Sequence, residues 1–131
     1  MSVAKRSAVM ARIRGKGTKP ELLLATEMRK LGLEWEEHVR ELPGRPDFVF
    51  RDRMVAVFVD GDFWHGYLFA TWRDKLSEPW EAKIAENVRR DARNRAALRE
   101  AGWAVVRVWE HQVNARPAAS AKRVLRALNR E

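Results

Sequence analysis

The chain has 131 residues, of which 46% are apolar and 34% charged, and it carries a formal net charge of +8. Such a chain forms one domain with a hydrophobic core and is not a disordered tail. The absence of cysteine excludes disulfides and thiolate metal sites, and the apolar runs are too short for a membrane span.

The positive charge favours a polyanionic partner, most simply nucleic acid, over an acidic membrane surface. Charge alone does not distinguish an enzyme from a purely binding protein. The basic N-terminus lacks the apolar stretch of a secretory signal. We therefore expect a cytoplasmic, nucleoid-associated protein with a single domain over residues 1–131 and no membrane partner.

Residues 1–17 predict a flexible basic arm. The segment has no acidic residue, and Gly15 and Gly17 loosen its end. It is either a solvated tail or an arm that becomes ordered on a phosphate backbone. Its basic residues are Lys5, Arg6, Arg12, Arg14 and Lys16.

Thr18 opens the first predicted helix. Thr18 and Glu21 have the spacing of a capping box, Pro20 is tolerated in the first turn, and Gly32 ends the helix. Apolar residues recur at helical spacing in between. Glu21 therefore has a sufficient structural role, and a functional role remains open.

The next segment predicts three strands. Residues 33–40 partly alternate, residues 42–46 form a turn, and residues 47–50 form a second strand. After a hairpin turn at 51–53, the continuous apolar run 54–59 predicts a central strand that is covered on both faces.

A polar loop over residues 70–77 leads to the longest predicted helix, from Glu78 to about Ala101. Asp91 lies on the core-facing stripe of this helix, so it needs a partner. That partner is either an arginine such as Arg95 or the active site. The stripe comprises Trp80, Ile84, Val88, Asp91, Arg95 and Leu98.

The strand 103–109 and the amphipathic helix 117–130 complete the predicted elements. The predicted elements follow the order helix, three strands, helix, strand, helix. This order indicates a mixed α/β sandwich, with a central mixed β-sheet flanked by helices.

Two acids meet at one end of the predicted hairpin. Asp47 begins one strand and Asp60 ends the next, so an antiparallel pairing brings both to the same edge. Two carboxylates, a strand-end carbonyl and water suit Mg²⁺, which supports in-line phosphodiester hydrolysis. The alternative is that Asp47 caps a turn and Asp60 begins a β-turn.

The three residues Phe63, Trp64 and His65 follow these acids and are candidates for proton transfer and for contact with DNA bases. His65 titrates near neutral pH and is a candidate general acid or base, or a loop histidine with a backbone partner. Exposed Phe63 and Trp64 need a cover of protein or ligand. They suit wedging between base pairs or stacking on single-stranded bases.

Five motifs between about Met10 and His111 carry a family resemblance. They are MARIRGKGTKPE, LPGRPDFVF, VAVFVDGDFWHG, W-x-x-KI-x-x-NV-x-RD and AGWAVVRVWEH. Their combination and order resemble the very-short-patch-repair (Vsr-type) mismatch endonucleases. The resemblance implies the fold of type II restriction endonucleases, of the PD-(D/E)xK type. It also implies a Mg²⁺-dependent nick in duplex DNA, 5′ of the thymine in a T:G mismatch left by deamination of 5-methylcytosine.

The same resemblance implies roles for individual residues. Asp47 matches the metal-binding aspartate, and His65 matches the general acid or base. Asp60 is implied as a metal ligand or a proton-transfer partner. Glu21 and Asp91 match a catalytic-site glutamate and the acid that supports the histidine. DNA-contacting positions are Met10, Phe63 and Trp64 as wedges, with Arg12, Arg14, Lys16 and Lys19 as basic contacts.

One departure from the family concerns a structural zinc that members hold mainly through cysteines. Asp62 stands at the first cysteine position and His111 at the last ligand position, which is too little for a closed tetrahedral site. We expect no structural zinc, with packing of Tyr67, Leu68, Phe69 and Trp72 in its place.

The resemblance also implies a monomer and a functional link to a cytosine-5 DNA methyltransferase. Two alternatives remain open: a restriction or defence nuclease of the same fold with altered specificity, and a DNA-binding protein that has lost cleavage. The joint presence of Asp47, His65, Glu21 and Asp91 speaks against the second.

Overall fold

A four-stranded mixed β-sheet runs through the computed structural model, which describes residues 18–130. The strands lie in the order β1-β2-β3-β4. The pairs β1–β2 and β2–β3 are antiparallel, whereas β3 and β4 are parallel. Their bounds are β1 Glu36–Glu37, β2 Phe48–Phe50, β3 Val55–Asp60 and β4 Ala104–Trp109.

Helices cover both faces of this sheet. Their bounds are α1 Lys19–Lys30, α2 Phe69–Trp72, α3 Glu78–Glu100, α4 Glu110–Ala115 and α5 Pro117–Leu128. Short 3-10 turns occupy Arg51–Arg53 and Arg73–Lys75. The predicted mixed sheet flanked by helices is confirmed, and α3 forms the crossover that a parallel pairing of β3 and β4 requires.

The larger core lies between the sheet and the helices α1, α4 and α5. Leu24 and Met28 of α1 are fully buried against inward-facing strand residues such as Phe48 and Val57. Val124 of α5 completes this core. The smaller core lies on the opposite face, where Leu98 of α3 packs with Val39, Val49, Ala56 and Trp103. Alternate residues of β3 thus enter different cores, which confirms the prediction that this strand is covered on both faces.

The start of α1 follows the predicted capping pattern. The backbone N–H and the hydroxyl of Thr18 both donate to Glu21 Oε2, at 2.9 and 3.0 Å. The carboxylate of Glu21 thereby satisfies the N-terminal backbone donor that a helix start leaves without a partner. This bond fixes the orientation of Glu21, whose second oxygen faces the sheet.

Several local predictions are wrong. The first strand has only two residues rather than eight, because the chain turns away at His38, which adopts a left-handed φ of 51°. The predicted loop 70–77 contains most of α2 and a 3-10 turn. α4 was not predicted, since its six residues are too few to show an apolar period. The predicted arm, with Met10, Arg12, Arg14 and Lys16, lies outside the described residues.

Candidate active site

Asp47 stands at the edge of the sheet, immediately before β2. Its backbone N–H donates to the carbonyl of Val57 at 2.9 Å, and its Oδ2 accepts from the Val59 N–H at 2.7 Å. The antiparallel register of β2 and β3 therefore fixes both the backbone and the side chain of Asp47. Its Oδ1 remains free to face Glu21 and His38.

Three side chains converge here as a potential cation-binding group. Nε2 of His38 lies 2.8 Å from Glu21 Oε1 and 3.8 Å from Asp47 Oδ1. One ligand atom from each of the three residues lies within 4.8 Å of the others. We call Glu21, His38 and Asp47 the cation group. It brings two predicted residues together and adds His38, which the sequence alone did not single out.

The environment of Asp47 opposes its ionisation. Burial raises the pKa of Asp47 well above its ordinary value, and the nearby charge of Glu21 raises it further. The hydrogen bond from the Val59 N–H acts in the opposite direction but does not outweigh them. When two buried carboxylates face each other, a cation between them stabilises the ionised form of both.

The donor set of the cation group fits a small divalent cation. Carboxylate oxygens and water suit Mg²⁺ and Mn²⁺, and an imidazole nitrogen is accepted more readily by Mn²⁺ than by Mg²⁺. Nε2 of His38 contacts Glu21 Oε1 at 2.8 Å, and a cation held by the cation group would compete for these same two atoms.

Asp60 belongs to a second cluster beside the cation group. It is almost fully buried at the end of β3, and its Oδ2 accepts from Nε of Arg107 at 2.5 Å. The guanidinium of Arg107 also lies 4.1 Å from the ring centroid of Trp109. Arg107 gave no sequence signal, because it stands within an apolar strand pattern. The proposed ligation of a metal by Asp60 stays a prediction.

His65 and Asp91 form a dyad at the same edge. Nδ1 of His65 lies 2.5 Å from Asp91 Oδ2 and 3.7 Å from Asp60 Oδ1. Asp91 Oδ1 accepts from Arg90 at 3.2 Å. Of the two partners considered for Asp91, the structure provides the histidine of the site, and the predicted pair with Arg95 does not form.

The two members of the dyad shift each other's pKa in opposite directions. Burial of His65 alone would lower its pKa, but the hydrogen bond that His65 donates to Asp91, together with the charges of Asp60 and Asp91, prevails and raises it. Burial would raise the pKa of Asp91, whereas His65 and Arg90 lower it below its ordinary value. Each member of the dyad therefore stabilises the charged form of the other.

A tight loop after β3 orients His65. The N–H of His65 donates to the Gly61 carbonyl at 3.1 Å, and the Asn87 side chain donates to the Trp64 carbonyl at 3.0 Å. Asn87 is buried on α3, so it ties the loop to the helix that also carries Asp91. The loop and α3 thus hold the two members of the dyad in one geometry.

Gly66 ends this loop in close contact with α3, and we expect Gly66→Ala to be strongly destabilising. The residue has φ +73°, and an added Cβ would lie only 2.5 Å from Val88 Cγ2 and 3.2 Å from Phe69 Cβ. Backbone strain and overpacking together predict a loss of about 2–4 kcal/mol in the free energy of unfolding. Urea denaturation measures it; Gly32→Ala, which also has positive φ but open space around it, is the matched control.

The exposed aromatic residues form one cluster beside the dyad. Phe63 and Trp64 are 42% and 47% exposed, and Trp80 of α3 is 48% exposed. Trp64 and Trp80 have ring centroids 5.5 Å apart, and Phe63 stacks on Trp72 at 5.5 Å. The placement of Trp80 on the core stripe was wrong: it joins Phe63 and Trp64 at the surface. Large exposed aromatic surface of this kind marks a contact site.

Asp62 and His111 contact each other directly at the base of the loop. Nδ1 of His111 lies 2.9 Å from Asp62 Oδ1, and the rings of Tyr67 and His111 are 4.4 Å apart. The predicted packing is correct for Tyr67, which also contacts Trp109, but not for Leu68, which is 60% exposed. The loop is thus connected to α4 by the contact between Asp62 and His111, by the ring contact of Tyr67 with His111, and by a hydrogen bond from the Asp62 N–H to Glu110 Oε1 at 3.1 Å.

We expect this connection to work without zinc. For protein purified without added metal, dialysis against EDTA should leave the melting temperature and the near-ultraviolet circular dichroism unchanged. Elemental analysis of the same protein should show no zinc. Asp62→Ala should cost no more than about 1 kcal/mol of unfolding free energy, because the pair is partly exposed to solvent. One tightly held zinc per chain, or unfolding in EDTA, would contradict the prediction.

A cavity of about 790 Å³ joins these clusters. It is lined by Asp47 of the cation group and by Asp60, His65 and Asp91. Basic side chains surround the acids; they are Arg40, Arg45, Arg90 and Arg95. Gly44, at φ +79°, permits the turn 42–46 to approach α3, where Asn94 Cβ lies 3.1 Å from the position of a Cβ on Gly44. Lys19, the predicted basic contact, is exposed at the start of α1.

Within residues 18–130, the helices are all too short or too polar to cross a membrane.

The site combines a cation group, a histidine–carboxylate dyad and exposed aromatic rings at one basic surface.

Comparisons with known proteins identify the family of this chain. The family model described as "DNA mismatch endonuclease Vsr" matches residues 1–71. The chain is 40% identical over 130 residues to "Type II nicking enzyme V.NmeDIP" of Neisseria meningitidis serogroup C, covering 95% of this chain and 86% of the relative.

Two further relatives have the same character. "Type II nicking enzyme V.XorIIP" of Xanthomonas oryzae pv. oryzae is 35% identical over 117 residues, covering 87% of this chain and 85% of the relative. "DNA mismatch endonuclease Vsr" of Escherichia coli (strain K12) is 40% identical over 110 residues, covering 82% and 70%. With a family match over more than half its length and relatives of this identity, the chain belongs to the Vsr family of DNA mismatch endonucleases.

Proposed function

We propose that this protein is a Mg²⁺-dependent endonuclease that nicks duplex DNA 5′ of the thymine in a T:G mismatch. The observation that carries the proposal is the cavity that Asp47 of the cation group shares with the His65–Asp91 dyad. Membership of the Vsr family supports it, as does the net charge of +8. The mixed sheet with acids at one edge is consistent with a restriction-endonuclease-like core of the PD-(D/E)xK type.

Asp47 and Glu21, with His38, would hold the cation. A divalent cation at this position lowers the pKa of bound water and offsets the negative charge on the phosphate. The protein's own contribution is to keep a desolvated carboxylate, Asp47, aimed at the cavity by two backbone bonds. Asp60 supports the neighbouring dyad through its charge, and its ligation of the cation remains part of the proposal.

His65 moves the proton. Its Nδ1 is bonded to Asp91, which leaves Nε2 to exchange a proton with water or with the leaving oxygen. Asp91 fixes the ring orientation and stabilises the imidazolium, as the direction of the pKa shift of His65 indicates. The bond that the His65 N–H donates to the Gly61 carbonyl and the bond that Asn87 donates to the Trp64 carbonyl fix the backbone of the loop, so that the ring of His65 stays within reach of Asp91.

The aromatic cluster and the basic residues bind the duplex. Phe63, Trp64 and Trp80 present rings at one surface, as wedges that unstack a base step require. A mismatched pair stacks less well than a matched one and is easier to open, which makes wedging a source of mismatch preference. Lys19 and the arm residues Arg12, Arg14 and Lys16 would contact phosphates, with Met10 as a further wedge.

The biological setting follows from this activity. A single nick requires one active site, so we propose a monomer in the cytoplasm, bound to the nucleoid. Because T:G mismatches arise by deamination of 5-methylcytosine, a cytosine-5 DNA methyltransferase is the proposed functional partner. A second candidate function is nicking at a different flanking sequence, in the service of a restriction system. Several relatives are named type II nicking enzymes, which favours that candidate.

A strand-specific nicking assay tests the proposal. We expect Mg²⁺-dependent cleavage of a labelled T:G duplex and little cleavage of the matched T:A duplex. Asp47→Ala should be inactive, and Asp52→Ala, which removes an exposed acid of the Arg51–Arg53 turn, should be fully active. Cleavage of neither duplex would refute the enzymatic function, and equal cleavage of both would refute mismatch specificity. Duplexes with varied flanking bases separate the two candidate functions.

A further inference from the structure

Arg95 enters the active-site cavity from α3. It follows Asp91 by about one helical turn, and it lines the cavity together with Asp47, His65 and Asp91. The side chain is half-buried, unlike Arg90, Arg93 and Arg99 of the same helix, which are exposed. A half-buried guanidinium is normally found with an acidic partner.

The acids nearest to Arg95 are bonded to other groups. Asp60 Oδ2 accepts from Arg107, and the two oxygens of Asp91 contact His65 and Arg90. Among residues 18–130, the side chain of Arg95 takes part in no hydrogen bond or ion pair. Residues 1–17 contain no acidic side chain that could serve as its ion-pair partner.

The electrostatic environment of Arg95 supports the same conclusion. Burial lowers its pKa below the ordinary arginine value, and the positive charge of Arg107 lowers it further. The charges of Asp60 and Asp91 act in the opposite direction but do not compensate fully. A cation in this position is stabilised by an additional anion that enters the cavity.

We propose that Arg95 is a catalytic residue that binds a nonbridging oxygen of the phosphate that is cut. This inference rests on the proposed function. A guanidinium offers paired N–H donors that match phosphate oxygens, and it remains charged even when partly buried. From α3 it would face the phosphate beside the cation group, next to the proton-transferring His65. Charge that develops on the phosphate would then be shared between the cation and Arg95.

Single-turnover nicking kinetics of four proteins test the inference: wild type, Arg95→Ala, Arg95→Lys and Arg99→Ala. Arg99→Ala removes the same charge from an exposed position of the same helix, one turn further on. We expect Arg95→Ala to cut about 10²-fold more slowly, because one donor to the developing charge is lost. Arg95→Lys should retain an intermediate rate, and Arg99→Ala should resemble the wild type. Added guanidinium chloride at millimolar concentration should partly restore Arg95→Ala alone.

A binding measurement in Ca²⁺ identifies the contacted group. A duplex in which a neutral methylphosphonate replaces the phosphate that the wild type cuts should bind the wild type more weakly. Arg95→Ala should bind the modified and the unmodified duplex equally well. The reason is that the oxygen removed from the DNA and the side chain removed from the protein belong to one contact. An equal loss in both proteins, or normal cutting by Arg95→Ala, would overturn this inference alone. Absence of cutting by the wild type would overturn the proposed function, and this inference with it.

Discussion

Asp47→Asn should abolish nicking and at the same time stabilise the metal-free protein. The amide oxygen can still accept from the Val59 N–H, so the fold of the site is kept. The variant loses the charge that holds the cation, and we expect the nicking rate to fall by about 10³-fold, the upper end for one charge-stabilising group. Single-turnover nicking and thermal unfolding in EDTA measure the two effects.

The stability gain should depend on pH in a defined direction. The pKa of Asp47 is raised in the folded state, first by burial and then by Glu21, so the folded protein binds this proton more tightly than the unfolded chain does. Such a group contributes stability below its unfolded pKa and loses that contribution as pH rises through the folded pKa. The gain from Asp47→Asn should therefore be largest at neutral pH and vanish towards pH 4.

Mg²⁺ provides the control for this interpretation. Saturating Mg²⁺ should raise the melting temperature of the wild type and not that of Asp47→Asn, since only the wild type binds the cation tightly. Asp52→Asn, in an exposed turn, should change neither stability nor activity. If Asp47→Asn were less stable than the wild type at pH 7 in EDTA, the ionised carboxylate of Asp47 would not destabilise the metal-free protein, and the prediction would be wrong.

Asp91→Asn is expected to slow nicking by about 10²–10⁴-fold, the range attributed to one positioned proton-transfer group. The variant leaves His65 in place but removes the hydrogen bond and the charge that orient its ring and raise its pKa. Asn at this position also permits the wrong tautomer of the imidazole. Single-turnover kinetics from pH 5 to 9 would measure the loss.

The pH profile distinguishes a role in catalysis from a purely structural one. If His65 acts as a base, the wild-type rate rises as His65 loses its proton, at a pH above that of an ordinary histidine because its pKa is raised. In Asp91→Asn that rise should move to lower pH, and the histidine Cε1–H resonance in NMR should titrate in parallel. A profile that keeps its position while the rate falls would contradict the dyad.

Much of the site follows from strand pairing that the sequence shows. Asp47 and Asp60 flank apolar runs joined by a short charged turn, so a hairpin brings them together whatever the remaining chain does. The helical spacing of apolar residues along α3 likewise places Asp91 on the side of the helix that faces the sheet. These positions depend on local chemistry and on one pairing, which is why they were predictable.

The other members of the site depend on contacts that local patterns do not encode. His38 reaches the cation group because the chain takes a left-handed conformation there, which is uncommon for any residue other than glycine. Arg107 lies in a strand that reads as apolar, and its partner Asp60 is supplied by the neighbouring parallel strand. Trp80 has core spacing but stands before the first buried turn of α3, so the loop aromatics, and not the sheet, lie next to it.

Glu21 joins two parts of the molecule through a single side chain. One of its oxygens holds the start of α1 at Thr18, and the other contacts His38 in the cation group. Thr18 is also the residue that immediately follows the basic segment 1–17. If the cation group holds a metal as proposed, we expect its occupancy and the immobilisation of this helix start to be thermodynamically linked, and such a linkage is reciprocal. DNA that holds the N-terminal segment in place would tighten metal binding by the same factor by which the metal tightens the grip on DNA.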